Sequence, residues 1–86
     1  MTNTQNKITK ISFLLVEEFS MIAFASALEP LRTANRISKK NLFEWEFLSL
    51  NNQKVFCSNG ISIDTQDLNE EKLQTDILFV LSLIHI

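Results

Sequence analysis

With 86 residues, the chain is one small domain or a piece of a larger one, and a chain this short buries only roughly 60% of its unfolded surface, so its stability alone is marginal. A hydrophobic content of 45% with one Gly and one Pro excludes a low-complexity or disordered tail. A net charge of -2 argues against nucleic-acid contact by these residues themselves, because such modules carry a basic face that neutralises phosphates. The single Cys57 rules out an internal disulfide framework, and no Cys or His pair has metal-site spacing. These features fit a reducing, cytoplasmic setting. The polar N-terminus lacks the apolar core of a secretory signal, and the longest apolar run, residues 77–86, is too short to span a bilayer.

Residues 1–7 read as a flexible lead-in. Residues 8–16 are rich enough in Ile, Leu, Phe and Val for a strand buried on both faces and central in its sheet. The acidic turn Val16-Glu17-Glu18-Phe19-Ser20 leads directly into a helix, with Ser20 as the expected N-cap and the two glutamates near the positive end of the helix dipole. Met21, Phe24, Ala25, Leu28, Leu31 and Ala34 form its apolar stripe, and Glu29, Arg32, Thr33 and Arg36 lie nearer solvent. Pro30 cannot donate to the Ser26 carbonyl, so a kink is expected there; the stripe resumes in phase beyond it, so the helix should not stop.

After a polar connector at residues 38–42, residues 43–50 alternate, with Phe43, Trp45 and Phe47 on one face and Glu44 and Glu46 on the other. Asn51, Asn52 and Gln53 form a turn by composition. Val55, Phe56 and Cys57 are short and strand-like, Gly60 supplies positive φ, and Ile61, Ser62 and Ile63 return as the other arm of a hairpin or bend. Residues 64–75 are acidic and polar, anchored by Leu68 and Leu73, and are expected to hold a loop and a short helix. Residues 76–80, DILFV, read as a buried strand of parallel type. The order is that of an open α/β sheet, in which ligands sit beyond the carboxyl ends of the strands. That makes Glu17, Glu18, Phe19 and Ser20 the candidate ligand-binding residues.

Three segments, FLLVEEFSMIAFASALEPLRTANR, FEWEFLSLNNQKVFCSNGISI and DILFV, resemble the N-terminal domain of GlxA-like, AraC-type transcription regulators. In that family a class I glutamine amidotransferase-like domain, related to the PfpI proteases of the DJ-1/PfpI superfamily, precedes a pair of helix-turn-helix motifs. The most specific part is Phe19-Ser20 with ASALEPLRTAN at residues 25–35; the pattern of Val55, Ser58, Gly60 and Ile63 is broader across the superfamily. The resemblance spans residues 8–80 and implies an incomplete flavodoxin-like, three-layer α/β fold. It also implies a small-molecule effector, with quaternary amines and amino-acid derivatives among the classes that similar regulators sense. DNA contact would come through a further domain, with homodimerisation as a family tendency, and no cofactor, metal or membrane is implied.

The superfamily's enzymes place an acidic residue after the first strand, within reach of a nucleophilic cysteine further along the chain. The matching position here is Ser20, whose hydroxyl cannot tune a thiol as a carboxylate does, with Glu17 or Glu18 as the alternative if the turn is shifted by a residue or two. Binding rather than catalysis is therefore expected, and the alternative is a piece of a PfpI-like cysteine hydrolase or amidase. A third reading is a free-standing interaction domain. After DILFV the family continues into a glycine-rich turn, whereas residues 81–86, LSLIHI, match one reading frame of a transposon end used in preparing sequencing libraries. They are expected to be a non-native tail on a truncated gene, with a natural strand extension as the competing reading.

Other residues favour plain roles. Cys57 has no neighbouring base or cation to activate it and reads as a buried structural cysteine. His85 lies in the suspected tail. Phe19 and Trp45 suit an aromatic cage for a quaternary ammonium, although packing between helix and sheet is the favoured role. The cluster of Arg32, Arg36, Lys39 and Lys40 reads as a solvated helix end, and Glu29-Pro30 as a possible dimer surface.

Overall fold

The computed structural model describes residues 7–50, 53–69 and 71–82. Its elements in chain order are β1 (Thr9–Leu15), α1 (Met21–Ser38), β2 (Phe43–Ser49), β3 (Lys54–Phe56), β4 (Ser62–Asp64), β5 (Gln66–Asp67) and β6 (Ile77–Leu81). A four-stranded parallel sheet has the order β5-β2-β1-β6, and β3 and β4 form a separate antiparallel pair. β1 is the central strand, as its composition predicts. Ile11 pairs with Trp45 on one side and Ile77 on the other, and Phe13 with Phe47 and Phe79.

Because side chains alternate along a strand, this register collects Ile11, Phe13, Leu15, Trp45, Phe47, Phe79 and Leu81 on one face, and α1 packs there through Met21, Phe24, Ala27, Leu28 and Leu31. Phe13 is its centre. Its ring stacks on Phe79 at 5.3 Å and meets Phe24 edge-on and Phe47 at a tilt, both at 5.8 Å. Pairs in these geometries contribute about 0.5–1.5 kcal/mol beyond area burial. α1 runs unbroken through Pro30 to Ser38 and ends where Lys39 turns left-handed at φ 59°.

The expected entry and exit of the helix are both stapled by side chains. Ser20 caps the start, its Oγ accepting from the Ala23 N–H at 3.2 Å. Asn35 fixes the exit: its Oδ1 accepts from the N–H groups of Leu42 (2.9 Å) and Phe43 (3.0 Å), and its Nδ2 donates to the Phe43 carbonyl at 2.9 Å. One residue in the last turns of α1 thus sets where β2 begins.

The opposite face is covered unevenly. The segment from β5 to β6 crosses its amino end and is tied to Lys10: Asp76 N–H donates to the Lys10 carbonyl at 2.8 Å, and the Asp76 carboxylate accepts the Lys10 N–H at 2.8 Å. Beneath it Ser12 is buried and donates to Glu46 at 2.7 Å. Toward the carboxyl end the cover stops, leaving Leu78 and Val80 exposed. A sheet of this kind is wrapped on both faces, and the bare end of the second face is what makes this flavodoxin-like α/β fold incomplete.

Two expectations are corrected. Among the described residues no helix forms at positions 64–75. Gln66 and Asp67 instead pair with Leu48 and Ser49 as β5, and at Asn69 the side chain accepts the Glu71 N–H at 3.1 Å while the Asn69 carbonyl accepts the Lys72 N–H at 3.0 Å. Asn69 thereby closes a local turn, the alternative that short polar side chains offer to a helix. Second, β6 is parallel as expected but not buried: it lies at the sheet edge, with Ile77, Leu78 and Val80 exposed. Leu81 belongs to this strand, paired with Leu15. The turn at Asn51 and Asn52, the first six residues and His85 lie outside the described residues.

Candidate functional site

The chain passes from β1 through α1 to β2 and β5 on one side, then returns to the other side of β1 as β6. The direction of winding reverses between β1 and β6. In open α/β sheets the loops diverge at this topological switch point and leave a crevice beyond the carboxyl ends of the two strands. Here that place is bounded by the turn at residues 16–20 and by the end of β6, joined by a bond from Val16 N–H to the Leu81 carbonyl at 2.9 Å. The turn picked out by the sequence therefore stands at the one position in this topology where a crevice is expected.

The four candidate residues have different surroundings. Phe19 is fully buried and meets Phe24 edge-on at 5.6 Å. It belongs to the core between turn and helix, while Trp45 is half-buried in the sheet. Ser20 spends its hydroxyl on the helix cap. Glu17 is exposed, and its carboxylate accepts the Phe56 N–H from β3 at 3.1 Å. Glu18 is exposed and left-handed at φ 65°, a conformation that costs a residue with a Cβ roughly 1–2 kcal/mol. Among the described residues the Glu18 carboxylate has no hydrogen-bond or ion-pair partner.

The β3–β4 hairpin forms the flank of this turn. Glu18 N–H donates to the Phe56 carbonyl at 2.7 Å, Ser58 N–H donates to the Phe19 carbonyl at 2.9 Å, and Phe19 and Cys57 form an isolated parallel bridge. Val55 and Cys57 enter the core from the hairpin. Gly60 turns it at φ 91°, where a residue with a Cβ would be strained. The Cys57 thiol is buried and donates to the Asn59 carboxamide oxygen, which also accepts the Ile61 N–H at 3.1 Å. The thiol is thereby engaged in shaping the hairpin tip. Among the described residues no three His, Cys, Asp or Glu side chains are placed to hold a metal ion, and no helix is long and apolar enough to cross a membrane.

The basic residues near the end of α1 do not form one unit. Arg32 makes two bonds of 2.8 Å to the Glu29 carboxylate through Nε and Nη2. Those bonds hold the Glu29 carboxyl below its ordinary range, helped by the charges of Arg32 and Arg36, and raise Arg32 in turn.

No family model matches the chain. It is 47% identical over 53 residues to the HTH-type transcriptional regulator GbdR of Pseudomonas aeruginosa, covering 62% of this chain and 14% of the relative. With the HTH-type transcriptional regulator GlxA of Rhizobium meliloti it shares 33% identity over 79 residues, or 92% of this chain and 24% of the relative. The crystal structure of an AraC family transcriptional regulator from Pseudomonas putida superimposes with a TM-score of 0.82 at 30% identity, over 88% of this chain and 41% of that one. The chain therefore spans about a seventh to a quarter of the length of these curated relatives. The curated relatives are HTH-type transcriptional regulators and the structural match is an AraC family regulator, so the resemblance read from the sequence holds in both sequence and fold.

Proposed function

We propose that this chain is the effector-sensing part of a DNA-binding transcription regulator, binding a small metabolite at the β1–β6 switch point without breaking a bond in it. The observation that carries this reading is a coincidence of place. The segment most like the regulators, from Phe19 through residues 25–35, begins at the turn that the sheet topology puts beside its expected crevice. At that turn Ser20 stands where the related enzymes carry an acid, and its hydroxyl is committed to the helix cap.

Glu17 and Glu18 would make the rim of a crevice at this turn acidic, which favours an effector with a cationic group, such as a quaternary amine or an amino-acid derivative. A carboxylate at Glu18 that is unpaired among the described residues can meet such a group as a charge partner without first breaking a bond. DNA contact is assigned to a further domain, since a chain with net charge -2 offers no basic face for phosphates. A cytoplasmic regulator working as a homodimer is the expected context.

The test is a thermal-shift and DNA mobility-shift series on the full-length protein with a panel of quaternary amines and amino-acid derivatives. One member should raise the melting temperature and change DNA affinity, and Glu18→Gln should weaken the response while leaving the unliganded stability within about 0.5 kcal/mol of the unmodified protein. Hydrolysis of a panel member, or a response unaffected at every rim residue, would overturn the reading.

A further inference from the structure

We infer that Glu17 is a positioning residue, a latch that holds the β3–β4 hairpin against the switch-point turn, so that hairpin and turn open together as one local unit. The inference deepens the sensing reading, on which it rests for the role of the crevice, but its test needs no effector.

Among the described residues the hairpin has no ladder to the main sheet: β3 and β4 pair there with each other. It is joined to β1 by the short run of bonds at residues 17–19, together with the apolar side chains of Val55, Cys57 and Ile63. Phe56 is the residue at issue. Its carbonyl accepts from Glu18 N–H at 2.7 Å, as it would in a continuing ladder, but its N–H meets a side chain, the Glu17 carboxylate at 3.1 Å. The backbone supplies the reason. Glu18 is left-handed at φ 65°, which breaks the extended run, and the Glu17 carboxylate takes the place of the ladder carbonyl.

The bond from Ser58 N–H to the Phe19 carbonyl then closes the seam on the far side of the bridge between Phe19 and Cys57. Elements held by few, solvent-accessible bonds open at lower free energy than the core, and both Glu17 and Phe56 are exposed. A cation or hydrogen-bond donor entering the crevice and taking the Glu17 carboxylate strips Phe56 of its acceptor. The seam loosens, and occupancy of the crevice is passed to the hairpin.

The experiment is residue-resolved amide hydrogen exchange on the full-length protein without effector. In the unmodified protein the amides of Glu18, Phe56 and Ser58 should exchange faster than that of Phe13 in β1 and with a common dependence on denaturant. Glu17→Ala should speed exchange at Phe56 and Ser58 by about three- to tenfold, the range for one lost hydrogen bond, and leave Phe13 and Phe47 unchanged. Glu17→Gln retains a carbonyl acceptor and should stay near the unmodified rates. Phe56 exchanging as slowly as Phe13 in the unmodified protein would sink the proposal, whichever variants fold. So would unchanged exchange at Phe56 in Glu17→Ala, acceleration spread evenly over β1 and β2, or Glu17→Gln behaving like alanine. Because no ligand is added, these outcomes bear on the latch alone, whereas the effector panel bears on the sensing reading.

Discussion

Replacing Asn35 with alanine should destabilise the fold by about 2–3 kcal/mol, although the residue lies on neither the core stripe of α1 nor the switch-point turn. The figure follows from the three bonds its carboxamide makes: two accepted, from the N–H groups of Leu42 and Phe43, and one donated to the Phe43 carbonyl, all at 2.9–3.0 Å. A bond net of water competition is worth about 0.5–1.5 kcal/mol. The bond to Leu42 is exposed, so water replaces it and the low end applies; the two to Phe43 are part-buried, so each merits roughly 1 kcal/mol. For a domain of this size 1 kcal/mol corresponds to about 4–8 °C, giving an expected loss of about 10–20 °C. The assay is thermal unfolding followed by circular dichroism, with amide exchange at Leu42 and Phe43 as the local check. A drop under about 2 °C, or unchanged exchange at those two amides, would refute the idea that Asn35 fixes the α1–β2 junction.

Phe13→Ala should cost about 3–5 kcal/mol, because the ring is fully buried and three others pack on it. Against a total of roughly 4–13 kcal/mol for a chain of this length, that is a large share, and urea denaturation should show a clearly lowered midpoint. A loss below 1 kcal/mol would mean that the core is arranged otherwise. Ser20→Ala should cost about 0.5–2 kcal/mol through the lost cap, whereas Ser20→Asp should stay close to the unmodified protein, since a carboxylate also caps and suits the dipole; equal losses in the two would count against capping. The Glu29 carboxyl, held below its ordinary range first by the bonds from Arg32, adds stability above the unfolded carboxylate range, and that contribution disappears as pH falls through the folded value. A carbon-detected titration of Glu29 should show the depression, and Arg32→Gln should remove most of it; an identical titration in the variant would exclude Arg32 as its cause.

The parts of the fold legible in the sequence were those specified locally. Ser20 carries its cap in its own side chain, the stripe from Met21 to Leu31 has helical spacing, and Phe43, Trp45 and Phe47 alternate without interruption. Gly60 marks the hairpin turn because so few residues accept its φ. What escaped was specified at a distance. β5 is two polar residues, Gln66 and Asp67, with no pattern of their own, made a strand by the backbone of Leu48 and Ser49. β6 looked buried because its composition is apolar, but exposure depends on what packs beside it, and nothing in DILFV states that. The turn before α1 is legible as a turn, yet the bond from Phe56 N–H to Glu17 joins residues 39 apart in sequence.

Glu17 and Glu18 illustrate why a site needs more than its residue types. Side by side after β1, the two carboxylates are equivalent as charges near a helix start, and any argument from composition treats them alike. One backbone angle separates them: with Glu18 at φ 65° the extended run ends, the Phe56 N–H is left facing a gap in the ladder, and the Glu17 side chain fills it. Among the described residues Glu18 thereby keeps its carboxylate uncommitted, and it bears the conformational cost. Glu18→Gly should then remove the left-handed strain, worth roughly 1 kcal/mol less the entropy that glycine loses on folding, while also removing the unpaired carboxylate. The variant should be as stable as the unmodified protein or slightly more so and yet respond less to a cationic effector. That combination distinguishes a residue kept for binding from one kept for folding, and a Glu18→Gly protein that unfolds more readily while responding normally would reverse the assignment.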